Sequence, residues 1–458
     1  MRYEPIPPEL FVANRQRLAA LLPGNSLAVI NANDVCPANA DGTQATIVNS
    51  DLFYLTGVEQ EQTILVIYPN ADEEKFRELL FLRQPTAELA IWEGHKLTKA
   101  EARKLTGIQN IHWLSEFPRL FHQLMCECDQ VFLNSNEHKR AIIEVESREA
   151  RFVAETKRKY PLHHFRRLAR LMHELRAVKS DVEISLIRRA CDLTHRGFLR
   201  VLNFTQPGVH EYQVEAEFAH EFTSHGGRMA YQPIIGSGRN ACCLHYLANE
   251  NICRNGELLL MDVGASYANY NSDMTRTIPV GGRFTRRQKK VYDSVLKVLK
   301  QSIAGLVAGK KIKEWQEEAE AMTERELVDL GLITMNQIKR QDPDDPAFKK
   351  YLMHGVGHPI GLDVHDVGIT TQPLQNGWIM TVEPGIYLPE EGFAVRLEND
   401  VLLTENGPVD LMADIPIEAV EIESLMNPGA RKAPSRNGKP DGSHQRPKIS
   451  TRAAATQH

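Results

Sequence analysis

No apolar run in the sequence approaches the roughly 18 residues that a membrane-spanning helix needs, which sets aside a spanning topology. Cysteine is scarce: the seven (36, 126, 128, 191, 242, 243 and 253) form an odd, sparse set that suits reduced thiols rather than a disulfide framework. Cys126-Glu127-Cys128 and Cys242-Cys243 also lack the spacing of a structural zinc site. There is no G-x-S-x-G nucleophile elbow, and Gly305-Leu306-Val307-Ala308-Gly309-Lys310 is one residue short of a phosphate-binding loop and lacks its Ser/Thr. The first nine residues carry two acids and three prolines where a secretory signal needs an apolar core, so a cytoplasmic protein is expected.

A large excess of one charge is missing as well. Lys plus Arg number 54 against 59 Asp plus Glu, for a net of −5. That balance hides an asymmetry. Residues 427–458 hold seven bases and one acid, a net of +6, so the other 426 residues carry −11. This last stretch has almost no large apolar side chain to offset ordering entropy and reads as a disordered basic tail. A weak electrostatic contact is the most such a tail implies, and no specific nucleic-acid partner is expected.

What is present is a chain of 458 residues with 42% hydrophobic composition, enough for two or three domains. Segments 27–30, 63–68 and 78–82 read as strands and segments near 8–21, 98–105 and 116–127 as helices, an α/β arrangement. The charged run 142–175 reads as an exposed helix connecting two domains. A second region opens at Ser180, whose partner Glu183 three places on completes a capping box before a long amphipathic helix. Helical patterns at 210–224, 286–304 and 311–331 alternate with β patterns at 257–264, 271–280, 377–383 and 394–403, an α+β domain. The expected division is 1–172, 173–426 and the tail 427–458.

The chemistry concentrates in that second region. Asp262 ends the apolar run 258–261, where a buried carboxylate must be paired or bind a metal. Asp273 follows eleven residues later, and 265–270 suits a hairpin that would set the two acids on neighbouring strands. Two adjacent carboxylates repel, and a cation between them is the simplest remedy; one exposed and one salt-bridged acid is the alternative. Next comes a segment with three histidines in twelve residues, His354, His358 and His365, from a total of seventeen. His354 and His358 are four apart, yet Gly355, Gly357 and Pro359 disfavour a helix and point to an extended, closely approaching segment. Glu383 closes the β pattern 379–383 ahead of Pro384-Gly385, and Glu398 shares a strand face with Arg396. Oxygen and imidazole donors of this kind match hard divalent ions such as manganese better than a thiolate zinc centre.

In this order the segments resemble the metal-ligand signature of the pita-bread metallopeptidases, which include methionine aminopeptidase, prolidase and aminopeptidase P. The resemblance implies an α/β amino-terminal domain followed by an α+β pita-bread catalytic domain. It implies two divalent ions, Mn2+ the best match, held by Asp262, Asp273, His358, Glu383 and Glu398, with Asp273 and Glu398 bridging. Within the family, Ile235-Gly236-Ser237-Gly238, Leu244-His245-Tyr246 and the contexts of His354 and His365 are similar to aminopeptidase P and prolidase. Asn49-Ser50-Asp51-Leu52-Phe53-Tyr54 and Ile91-Trp92-Glu93-Gly94 resemble the amino-terminal domain of aminopeptidase P. Tetramers of that branch can send the matching tryptophan into a neighbour's site, so a homo-oligomer, dimer or tetramer, is expected. Pro359 and Asn399 depart from the family pattern and bear on pocket shape.

The implied reaction is hydrolysis of the first peptide bond of peptides with proline second, through a metal-bridging hydroxide. Glu383 would shuttle the proton, His365 would stabilise the oxyanion, His245 would position the scissile group, His354 would line the proline side and Arg396 would complete the catalytic set. A prolidase restricted to Xaa-Pro dipeptides shares every ligand. A non-catalytic binding module of the same fold would have lost ligands, and all five persist.

Overall fold

The computed structural model describes residues 2–142 and 144–427; beyond Asn427 the basic tail lies outside the described residues. Strands Ser26–Asn31, Ile64–Ile67 and Glu78–Leu82 form where the apolar runs predict them. They belong to a six-stranded mixed sheet in the order Asn110–Trp113, Glu78–Leu82, Ile64–Ile67, Ser26–Asn31, Gln130–Leu133, His164–Arg167. Side chains alternate between its two faces as the pleat requires. Leu27, Val29, Val66, Phe81 and Val131 pack beneath the helix Phe117–Met125. Ala28, Ile30, Leu65, Leu80 and Phe132 face the helices Pro8–Leu21 and Ser50–Thr56, in a core continuous with the second domain.

The run 142–175 is not one exposed helix. It divides into the helix Arg148–Lys159, the edge strand His164–Arg167 and the helix Ala169–Ala177. Pro161 cannot continue the first helix. The strand pairs in parallel with Gln130–Leu133, and because it is an edge with outward charged side chains its sequence shows no apolar alternation. The helix Ala169–Ala177, which spans the expected boundary at 172, buries Met172, Leu175 and Arg176.

Arg176 ties the two halves together. Its guanidinium donates to Asp51 at 2.8 Å, Asp363 at 2.7 Å and Asp366 at 2.5 Å, while Lys179 reaches Asp366 at 3.0 Å. Ser50 adds a bond to Asp363 at 2.7 Å. Residues of the amino-terminal domain thus clamp the loop that carries His365.

The capping box at Ser180 opens the helix Asp181–Phe204. With Glu211–Ser224, Arg286–Gly305 and Ile312–Asp329 it surrounds small antiparallel sheets, the expected α+β layer. One sheet orders Thr275–Pro279, Leu258–Asp262 and Ile234–Ser237; another orders Ile379–Val382, Asn399–Thr404 and Gly407–Asp410. Gly385–Leu388 pairs with Phe393–Arg396. No helix among the described residues is long and apolar enough to cross a membrane.

Candidate metal centre

The predicted hairpin exists. Ala268 and Asn269 take φ of 51° and 67°, the left-handed pair of a tight hairpin, and Ser266 and Tyr267 pair with Asn271 and Tyr270. Asp262 is the last residue of its strand and sits opposite Thr275. Asp273 lies two residues before that partner, in the gap between Tyr270–Asn271 and Thr275–Pro279, so it is not on a strand as expected. Glu398 likewise occupies a gap, between Phe393–Arg396 and Asn399–Thr404, and Glu383 falls one residue past Ile379–Val382. Each interruption is held by a bond outside its own ladder: Asp273 N to Asp400 Oδ2 at 3.1 Å, Glu398 N to Thr275 O at 3.1 Å, Glu383 N to Val356 O at 2.9 Å.

The histidine segment runs extended and antiparallel alongside the strand Ile379–Val382, with Pro359 opposite Met380. A Cβ on Gly357 would lie 2.1 Å from Thr381 O, so only glycine permits this approach. The segment is anchored by His358 N to Thr381 Oγ1 at 3.0 Å. His358 Nδ1 faces Pro359 O at 3.0 Å, which assigns its proton there and leaves Nε2 as a free lone pair. That Nε2 stands 3.6 Å from Asp273 Oδ2 and 3.9 Å from Glu383 Oε1, and donor atoms of Asp273, His358 and Glu398 all lie within 4.8 Å of one another.

Electrostatics favour a cation at this point. Burial, then the charges of neighbouring acids, push Asp273, Glu383 and Glu398 well above the ordinary carboxylate range. Tyr231 donates its one hydroxyl proton toward both Asp262, at 2.6 Å, and Asp273, so it cannot neutralise the pair. Burial holds His354 and His358 down to about 4, leaving neutral imidazoles. Buried acids converging on an unprotonated imidazole nitrogen fit a divalent ion of the hard or borderline class.

The expected residues are not equally placed. Asp273, His358 and Glu398 form the tight group, with Glu383 at its edge. Asp262 joins it through Tyr231 and is also gripped by Arg396, Nη2 to Oδ2 at 2.5 Å. Arg396 in turn donates through Nε to Thr275 Oγ1 at 3.1 Å and through Nη1 to Tyr387 at 2.7 Å. Thr275 hands its own proton to Glu398 at 2.6 Å, so one guanidinium braces acids on both sides of the centre. His354 sits over this frame, 2.8 Å from the Tyr387 hydroxyl and 3.7 Å from Glu383. His365 stacks on His358, ring centroids 4.0 Å apart and 10° from parallel. His245 lies in an exposed turn near enough to depress both His354 and His365.

Sequence reading missed Tyr231, Thr275, Tyr387 and Arg140. Arg140 comes from the amino-terminal domain and donates to His365 Nδ1 at 2.7 Å. A guanidinium only donates, so His365 must carry its proton on Nε2. Burial, with His358, Arg140, His138 and His245 nearby, pushes that imidazole down to about 3. These partners meet through tertiary packing, and no local spacing announces them.

Known proteins resemble this chain over both of its domains. The profile of metallopeptidase family M24 matches residues 185–405, and that of the aminopeptidase P amino-terminal domain matches residues 11–132. The Xaa-Pro aminopeptidase of Escherichia coli strain K12 is 34% identical over 437 residues, covering 91% of this chain and 97% of its own. Its counterpart in Haemophilus influenzae is 32% identical over 439 residues, covering 92% and 98%. Among solved structures, zinc-substituted E. coli aminopeptidase P in complex with product aligns with a TM-score of 0.82 at 33% identity, covering 94% of this chain and 100% of that one.

Proposed function

Because this chain belongs to metallopeptidase family M24 and carries the amino-terminal domain of aminopeptidase P, we propose that it is a metal-dependent aminopeptidase releasing the first residue from peptides with proline second. The relatives that span nearly the whole chain are Xaa-Pro aminopeptidases, so the dipeptide-restricted prolidase reading is not favoured. The observation that carries the reading is the convergence of Asp273, His358 and Glu398 donor atoms within 4.8 Å.

In this reading Asp262, Asp273, His358, Glu383 and Glu398 hold two divalent ions, with Mn2+ the first choice for such donors. When bound, such ions supply Lewis acidity and ionise water at neutral pH. The protein's part is positioning and proton movement. Glu383 takes a proton from the attacking water on a carboxylate oxygen and returns it to the leaving proline nitrogen. His365, its tautomer set by Arg140, offers Nε2–H to the developing oxyanion. His354 is held by Tyr387 where it lines the proline side, and His245 positions the scissile group. Arg396 fixes Asp262, whose carboxylate also receives the substrate's ammonium group. Proline's tertiary amide lacks the N–H that most peptidases require, which gives such a dedicated site its use.

A cytoplasmic address and a homo-oligomer belong to the same reading. Seven cysteines without a disulfide support the first, and the 80% exposure of both Ile91 and Trp92 on a short surface helix supports the second. The division into 1–172 and 173–426 is retained as a functional one. A peptide series from Xaa-Pro to longer Xaa-Pro peptides tests the activity: cleavage of tripeptides and longer substrates is expected, and exclusive dipeptide cleavage would overturn it.

A further inference from the structure

We propose that Arg140 is a specificity residue that captures the C-terminal carboxylate of tripeptide substrates at the mouth of the site. The inference rests on the peptidase reading above. Arg140 stands on the amino-terminal domain, beyond the strand Gln130–Leu133, and its side chain is exposed. Its Nη1 donates to His365 Nδ1 at 2.7 Å. A guanidinium carries five donors and a permanent charge. Among the described residues Arg140 has this one side-chain hydrogen bond and no carboxylate within ion-pairing distance. Its charge is nonetheless felt at His358 and Glu383. A cation so close to a catalytic centre and still unpaired is available to an incoming anion.

The site is therefore bipolar. Asp262, Asp273, Glu383 and Glu398 gather on one side of His358, whereas Arg140 bonds the Nδ1 of His365, the ring stacked on His358, and His138 is close enough to be felt by that ring. A short zwitterionic peptide has the matching polarity, its ammonium toward the acids and its carboxylate toward Arg140. The spacing selects the length. A ring stack of 4.0 Å and a hydrogen bond of 2.7 Å link the imidazole of His358 to the guanidinium through the single side chain of His365. Two extended residues cover about 7 Å, a reach suited to set the carboxylate of the residue after proline beside a group one side chain away from His358. A longer peptide presents a neutral amide there and forgoes the charge-assisted, bidentate bond.

The test compares one Xaa-Pro-Xaa tripeptide as free acid and as C-terminal amide, with the metal-loaded full chain, Arg140→Gln and Arg140→Lys. Wild type is expected to prefer the acid by about tenfold in kcat/KM, mostly through KM, the scale of a lost charge-assisted hydrogen bond. Arg140→Lys keeps part of the preference and Arg140→Gln removes it. The acid-to-amide ratio is read within each variant, so a general loss of activity does not obscure it. Equal treatment of acid and amide by wild type, or a preference that persists in Arg140→Gln, overturns the role of Arg140 alone. Failure of the metal-loaded wild type to cleave either peptide overturns the peptidase reading itself.

Discussion

The hydroxyl of Tyr231 stands 2.6 Å from Oδ1 of Asp262 while also bonding Asp273, so one proton serves two carboxylates of the candidate metal site. Burial and those two acids raise the phenol well above its ordinary range, which keeps it a donor at every working pH. Outer partners of this kind orient ligands and tune affinity. Tyr231→Phe should therefore weaken metal binding by about 10–100-fold with the fold retained. Titration of metal-free protein with Mn2+, followed by circular dichroism, measures both; unchanged affinity would remove Tyr231 from the centre.

Asp273 and Glu398 are buried beside other acids and held from ionising together only by proximity and burial. Replacing either with Ala should lower peptidase activity by at least about a hundredfold, because ligand and charge are both lost. The same changes relieve like-charge repulsion, so metal-free stability should not fall as a buried-residue change usually makes it fall. Kinetics together with thermal unfolding in chelator separate these effects; an active Glu398→Ala variant would refute its role.

Arg176 is buried among Asp51, Asp363 and Asp366. Removing one partner of a buried ion cluster strands the others, at about 3–5 kcal/mol. Arg176→Met should cost stability on that scale in urea unfolding. It should also lower activity, because the loop it clamps carries His365. A variant with wild-type stability would show that the cluster is dispensable.

Glu149 supplies a pH dependence remote from the metal site. It accepts from Asn31 N at 2.9 Å and Asn31 Nδ2 at 3.1 Å, yet burial pushes its carboxyl up to about 7. The folded state then binds this proton more tightly than the unfolded state does between about pH 4.5 and 7. The contribution to stability is complete below that window and is lost as pH rises through it. Glu149→Gln should flatten this part of the profile in denaturant unfolding at a series of pH values; an unchanged slope would contradict it.

Much of this centre was legible in the chain, for identifiable reasons. Apolar runs that end in an acid, and histidines bracketed by glycine, are local patterns; Asp262 ends its strand as the pattern implies, and Glu383 falls one residue past its own. Asp273 and Glu398 were read as strand residues, because a two- or three-residue break held by Asp400 or Thr275 leaves no local mark. The edge strand His164–Arg167 escaped notice because its sheet partner, rather than its own composition, makes it a strand. Arg140 could not be assigned to the site at all. Its partner His365 is 225 residues away, across the boundary between the domains.

In the proposed function Asp262, Asp273, His358, Glu383 and Glu398 assemble a peptidase centre around divalent ions. Hydrolysis of an Xaa-Pro tripeptide after exhaustive chelation, with metal content measured and Mn2+ then restored, tests it most directly. The expected result is loss of activity as metal leaves and recovery that saturates with metal bound per chain. Full activity in protein verified to be free of metal would show that these five residues do not work as metal ligands.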